Sequence, residues 1–493
     1  MKSLRSIMLA GTGSDVGKSI LATGLCRIFR QDGYHPAPFK AQNMALNSYA
    51  TPDGLEIGLA QAIQAEAAEI PCSTDMNPLL LKPSGDCTSQ VVLNGIPIGN
   101  QTAYAYFRRE GREELRGEVH KAYDRLASRF NPIVMEGAGS IAELNLRDSD
   151  LVNMSMAAYA DADVILVADI DRGGVFASAY GSIMLQPEED RKRIKGIIVN
   201  KFRGDIRLFE EGRRILERTC GVPVLGVVPY LRDIHIDEED SVSLEKKSHR
   251  PVAGKINIAV VHLRHISNFT DFYALEKMNR AHVYFSENPQ DIAAADIIII
   301  PGSKSTIDDL ETLKSLGIAD VILCAHNQGK MIIGICGGYQ MLGMKVYDPH
   351  GVESDTIAVD GIGLLPISTT LTKKKVTRQT EFNFLDSADT CFGYEIHMGQ
   401  TRIIDSSDVR AVNRLMDGTL DGCLHGKNCI GTYIHGFFDN KAVVRYLLAP
   451  FITEEMEIED YRTFKNQQYD RLADALRESL DMDMLYKIMG RDD

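Results

Sequence analysis

The chain has 493 residues and a formal net charge of −14. That balance argues against a nucleic-acid binder, which would present a basic face, and the length requires more than one core. With 44% hydrophobic and 25% charged residues the composition is that of an ordinary α/β protein, and no apolar run approaches the ~20 residues of a membrane span. Neither nucleic acid nor a membrane is expected as a partner. The nine cysteines are scattered without a C-x-x-C pair, so they are expected as reduced thiols of a cytoplasmic protein rather than disulfides or a structural zinc site.

Near the start, the apolar run Ser6–Ala10 leads into Gly11, Thr12, Gly13, Ser14, Asp15, Val16, Gly17, Lys18 and Ser19, and a helix is expected to follow as far as Phe29. A strand, a glycine loop and a helix N-terminus make the phosphate cradle of a P-loop NTPase: backbone N–H groups face the phosphate oxygens and the helix dipole favours their charge. Lys18 is placed to reach the β- and γ-phosphates, and the Ser19 hydroxyl to hold Mg2+. The usual pattern has glycine where this chain has Thr12, the glycine standing one place earlier at Gly11.

A second strand is expected before Lys40, and Lys40, Gln42, Asn43 and Asn47 then fall just past its end, on the ligand edge of an open parallel sheet. A helix is expected over 57–68, an extended stretch over 76–83 ending near Lys82, and a long amphipathic helical region over 103–130. The strand 132–135 ends in Glu136, where a Mg2+ ligand belongs in such a fold. Asp148 and Asp150 lie in the next loop; either can orient the metal or a substrate carboxylate, and Asp148 is favoured. Val164–Val167 reads as a strand buried on both faces, and it runs into Asp169-Ile-Asp-Arg-Gly-Gly174. Asn200 ends another strand with an amide able to read a nucleotide base. Val224–Val228 closes a doubly wound parallel sheet.

The stretch 233–251 is acidic, then basic, without an apolar period, and reads as a linker. Strands resume at Ile256 and Asp296, and the second ends at Gly302-Ser303. A third, 331–335, runs directly into Cys336 and Gly337-Gly338, the pattern of a nucleophile elbow with its thiol at a helix N-terminus, which favours the thiolate. His435 is the preferred base, with His397 competing. Backbone N–H groups of Gly337 and of Gly302 or Ser303 are candidates for an oxyanion hole. Glu395 and His397 share one face of a strand. The tail 462–489 reads as a packing pair of amphipathic helices.

Taken in order, these motifs resemble the cobyric acid synthase family, glutamine-dependent amidases of adenosylcobalamin biosynthesis. The resemblance rests on Gly11–Ser19, Pro38–Met44, Met76–Pro83, Glu136–Ser140, Asp169–Phe176, Asn200–Gly204, Ser267–Asp271, the Cys336 elbow, Gly393–Gly399 and Tyr433–Gly436. It implies a dethiobiotin synthetase-like P-loop domain over 1–235, a linker over 236–254, a class I glutamine amidotransferase α/β domain over 255–445 and a helical extension over 446–493. It further implies ATP and Mg2+, a γ-glutamyl thioester on Cys336, and acyl phosphates on four carboxylates of adenosylcobyrinic acid a,c-diamide, amidated by ammonia released from glutamine.

This chain departs from the triad pattern in one respect. Amidotransferases of this class usually carry Glu two residues after the histidine, and here that residue is Phe437, so the orienting acid is absent or comes from elsewhere. Two other readings share these features: an a,c-diamide synthase acting one stage earlier, and a P-loop ATPase switch with a degenerate amidotransferase tail. Oligomeric state is not legible.

Overall fold

The computed structural model describes residues 3–85, 88–102, 106, 112–237, 247–452 and 458–490, and they form two compact units. Residues 238–246 of the expected linker fall outside the described residues, as does most of the start of the helical region predicted over 103–130, which is a helix over Arg112–Ala127.

In the first unit, the strands are β1 (Ile7–Gly11), β2 (Ala37–Phe39), β3 (Ile133–Glu136), β4 (Asp163–Asp169), β5 (Ile194–Phe202) and β6 (Val224–Pro229). They form a 6-stranded parallel sheet in the order β6-β5-β4-β1-β3-β2. Every residue of β1, β3 and β4 is buried, which is why these strands read as unbroken apolar runs. β1 lies between β3 and β4, from which the sheet is wound outward in opposite directions, so its C-terminal end opens on the ligand edge. Helix α1 (Lys18–Gln31) starts there, and Leu9 stands in register with Glu136. A 4-stranded sheet over Gln42–Met44, Leu79–Gly85, Thr88–Leu93 and Ile96–Thr102 was visible in the sequence only as one extended stretch.

The second unit is built on β7 (Ile256–Val261), β8 (Ala281–Ser286), β9 (Ile297–Ile300), β10 (Met331–Ile335), β11 (Ile367–Phe384), β12 (Thr390–Ile403), β13 (Val409–Arg410), β14 (Cys423–His425) and β15 (Cys429–Thr432). Its main sheet has 7 strands in the order β8-β7-β9-β10-β15-β14-β13. The pairs from β8 to β15 are parallel, and β14 and β13 add an antiparallel edge. β11 and β12 make a long antiparallel hairpin with a register break between Leu371 and Val376. Helix α2 (Thr306–Ser315) follows β9, and the short α3 (Gly337–Leu342) follows β10.

The units do not follow the chain order expected from the sequence. Residues 46–56 belong to the second unit, and residues from Lys465 onward to the first. The latter are most of α4 (Tyr461–Ser479) and all of α5 (Met482–Ile488). Leu472 and Leu476 of α4 pack on α1 at Gly24, and Arg27 of α1 pairs with Asp470 at 2.7 Å. Past α4 the backbone pins the edge strand β6, Asp481 N–H donating to Leu225 O at 2.7 Å, and ties down the residues before β1, Met489 O accepting from Arg5 N–H at 2.8 Å. The tail is thus a structural part of the P-loop unit rather than a separate extension.

The approach at β6 is close enough to require glycine. A Cβ on Gly226 would lie 2.1 Å from Ser479 O. Gly226→Ala is therefore expected to cost about 1–3 kcal/mol, as overpacking does, read as a lowered urea-unfolding midpoint of the full chain.

Candidate active site

The nucleotide cradle is built where β1 turns into α1. Asp15 and Gly17 both take positive φ, 53° and 94°, to bend the loop around its own backbone N–H groups. Lys18 folds back across it, its ammonium donating to Gly13 O at 2.9 Å and Gly139 O at 3.1 Å. This explains the shifted glycine: a Cβ on Gly11 would stand 2.7 Å from Lys18 Nζ and 2.8 Å from both carbonyls. Thr12 follows in extended backbone, forming a β-bridge with Ser140 while its N–H reaches Val167 O at 3.0 Å. Burial lowers the Lys18 ammonium to about 8, against the opposing pull of Glu136.

Glu136 is 1% exposed. Its Oε1 accepts from Ser19 Oγ and from Lys40 Nζ, each at 2.7 Å, and its Oε2 accepts from Gln64 Nε2 at 2.7 Å. Burial alone would raise this carboxyl; Lys40 and the bonds from Ser19 and Gln64 outweigh it and hold it below the ordinary range. Ser19, Lys40 and Glu136, singled out from sequence, are thus brought together, and Gln64 joins them. A hydroxyl oxygen next to one carboxylate is the donor set that Mg2+ takes alongside water and phosphate oxygens, so the residues fit that ion.

Other expected residues of this half are placed differently. Asn200 lies beneath the P-loop, donating to Val16 O at 2.8 Å; a Cβ on Gly17 would meet its Nδ2 at 2.1 Å. Its amide shapes the loop. Asp148 is exposed on the 3-10 turn Leu144–Ser149, whereas Asp150 accepts from Val152 and Asn153 N–H at 3.0 and 2.9 Å and fixes the next turn. Asn43 is held by Gln61 at 3.1 Å, Gln42 accepts from Tyr106 at 2.6 Å, and Asn47 belongs to the other unit. Of that group, Lys40 is bonded to Glu136.

In the second unit Cys336 sits between β10 and α3 with φ 51° and ψ −106°, a strained conformation for a residue with a Cβ. The strain follows from close packing. A Cβ on Gly338 would stand 2.0 Å from Ile300 O, and one on Gly337 2.8 Å from Ser303 N, so the elbow is pressed against the end of β9 and the turn at Gly302–Ser303. α3 has only six residues, which limits what its dipole adds at the sulfur. The Cys336 thiol donates to Ile396 O at 3.6 Å.

His435 is 1% exposed, and Cys336 is among the groups whose electrostatics act on its imidazole. On the other side its Nδ1 meets Asp271 Oδ2 at 2.8 Å, while Asp271 Oδ1 accepts from Gly436 N–H at 2.9 Å. Tyr394 stacks on the imidazole at 5.3 Å between centroids. Asp271 is the orienting acid that the sequence left unassigned: it lay within the quoted stretch Ser267–Asp271, but nothing local links it to a histidine so far along the chain. Phe437, in the position where Glu is usual, is fully buried among Phe382, Phe384 and Phe438. His397 turns elsewhere, with Nδ1 on Gly399 O at 2.9 Å and its ring stacked on Tyr433 at 3.7 Å. The turn at Gly302–Ser303 lies against Gly337 of the elbow, the Ser303 hydroxyl being tied to Asp309 at 2.6 Å.

Two family models match the chain: a CobQ/CobB/MinD/ParA nucleotide-binding domain over residues 7–244 and a CobB/CobQ-like glutamine amidotransferase domain over 257–443. Among curated relatives, cobyric acid synthase of Phocaeicola vulgatus is 64% identical over the whole of both chains. The chain belongs to the cobyric acid synthase family. The family's protein from Bacteroides fragilis is 61% identical, again over the whole of both chains, and that from Chlorobium phaeobacteroides is 46% identical over 99% of this chain and 100% of its own. Membership makes the chain an α/β protein with a P-loop nucleotide-binding domain followed by a glutamine amidotransferase domain, and an enzyme of cobalamin biosynthesis that uses both for amidation. Among the described residues no helix is long and apolar enough to cross a membrane.

Burial works against a charged His435, but Asp271 and Cys336 outweigh it and raise the imidazole from 6.5 to about 10. A raised histidine contributes stability that is complete below its unfolded value and lost as pH climbs through the folded one. The stability gap between wild type and Asp271→Asn is therefore expected to be largest near pH 6.5 and to shrink toward pH 10. Urea unfolding at a series of pH values measures it.

Proposed function

We propose that the chain converts adenosylcobyrinic acid a,c-diamide to adenosylcobyric acid. It amidates the b, d, e and g carboxylates in succession, with ATP activating each carboxylate and glutamine supplying the nitrogen. One observation carries this reading: a single chain of this family holds both a P-loop closed over a buried Lys18–Glu136–Lys40 cluster and a cysteine elbow whose histidine is oriented by a buried acid.

In the second unit, Cys336 attacks the side-chain amide of glutamine and His435 carries the proton to the departing ammonia, leaving a γ-glutamyl thioester that water then hydrolyses. Asp271 holds the imidazole in one tautomer and faces its charge, the part usually taken by the acid two residues later. Backbone N–H groups of Gly337 and of Gly302 or Ser303 are suited to receive the oxyanion. In the first unit, the loop Gly11–Ser19 binds the triphosphate, and Lys18 and Lys40 face the charge that develops as the γ-phosphoryl group passes to a substrate carboxylate. Mg2+, held by Ser19 and Glu136, would supply charge neutralisation at the phosphates. Phosphorylation turns the carboxylate oxygen into a leaving group that ammonia can displace, giving the amide, ADP and phosphate. Asn200 supports the cradle from below. Asp148, exposed on its loop, is available to an incoming carboxylate or metal. The reduced thiols fit a cytoplasmic enzyme.

The test is turnover with ATP and the a,c-diamide, following product mass. Cys336→Ala is expected to lower glutamine-supported turnover by about 1000-fold or more while ammonia-supported turnover persists. Lys18→Ala is expected to lower both by about 100-fold or more. ATP hydrolysis indifferent to corrinoid and to glutamine would overturn the reading.

A further inference from the structure

Residues 46–56 come from the first half of the sequence but are built into the amidotransferase unit. Asn47 is fully buried and Asn268 is 3% exposed. Asn47 Oδ1 accepts from Asn268 N–H at 2.7 Å, and Asn268 Oδ1 accepts from Ser48 N–H at 3.0 Å. The pair thus exchanges bonds in both directions between two stretches of chain.

What the clasp holds is a conformation. Asn268 sits at φ 52° and ψ 43°, in the left-handed region, and directly precedes the 3-10 turn Phe269–Phe272 that carries Asp271. Asp271 N–H closes that turn on Asn268 O at 3.0 Å. A left-handed non-glycine residue costs free energy and persists only where its surroundings over-determine it. Here the backbone N–H and the side chain of Asn268 are both engaged by the inserted segment. The φ of Asn268 sets the direction in which the turn leaves, and with it where the Asp271 carboxylate meets His435. A second contact leads to the same imidazole: the Tyr49 ring packs on Tyr394 at 4.4 Å, and Tyr394 stacks on His435.

We infer that Asn47, acting through Asn268, is a positioning residue of the glutamine-hydrolysing site, with Tyr49 supporting the Tyr394 ring that stacks on the imidazole. The inference rests on the assignment of Cys336, His435 and Asp271 proposed above. Misplacing a proton carrier by a fraction of an ångström slows chemistry without weakening substrate binding.

The experiment is steady-state hydrolysis of glutamine to glutamate by the full-length enzyme. Asn47→Ala is expected to lower kcat by about 10- to 100-fold with KM for glutamine changed less than about twofold. Tyr49→Leu, at a half-buried position, is expected to lower kcat by several-fold in the same pattern, and it decides the matter if Asn47→Ala fails to fold. Wild-type kcat in a folded variant overturns the inference, as does a raised KM at unchanged kcat. Cys336→Ala runs alongside: if it still hydrolyses glutamine, the site assignment itself is wrong. If it is inactive while Asn47→Ala and Tyr49→Leu are normal, only the positioning role falls.

Discussion

A carboxylate cannot be taken out of water alone, and the P-loop unit is arranged around one that has been. Desolvating Glu136 without partners would cost several kcal/mol, more than a typical domain can spare. The cost is offset by an ammonium, a hydroxyl and an amide, drawn from Lys40 past β2, Ser19 in α1 and Gln64 in a third element. Meeting the needs of one buried group therefore fixes the spacing of three separate pieces of chain at the end of β1. The same cluster has the makings of a phosphate and metal site, because the groups that neutralise a buried carboxylate are also those that meet nucleotide phosphates.

The amidotransferase unit solves a related problem with a different pair. A buried imidazole is poorly placed to hold charge, yet Asp271 and Cys336 outweigh the burial and raise His435 above its ordinary value. The backbone around both residues is under constraint: Cys336 is strained at its elbow, and the turn carrying Asp271 follows a left-handed Asn268. Strain of this kind holds only in well-packed surroundings, and β9, β10 and the core phenylalanines around Phe437 supply them.

What could be read from the sequence was contiguous. The loop Gly11–Ser19, the strands ending in Glu136 and Cys336, and the apolar run of β4 each carry their signal within a dozen residues. Even the misplaced glycine was visible, although its reason, the crossing of Lys18 over Gly11, needed three dimensions. Asp271 was hidden for the opposite reason. It lies 164 residues from His435, and an acid that far away leaves no pattern of spacing. The transfer of residues 46–56 to the other unit was equally illegible: Asn47 and Ser48 look like any polar loop, and only their exchange of bonds with Asn268 shows where they belong. Asn200 has a role that its place at a strand end did not show, since its amide braces the P-loop at Val16.

The exchange of segments between the units has a consequence for how the protein is made. The P-loop unit lacks its last two helices until synthesis has nearly reached the end of the chain, because α4 and α5 cover α1 and the edge strand β6. The amidotransferase unit needs residues 46–56, which leave the ribosome long before the strands they join. Neither half can be completed in the order in which it is translated, unlike domains that fold one after another as they emerge. A chain that stops before α4 and α5 leaves the surfaces of α1 and β6 that they cover without those partners.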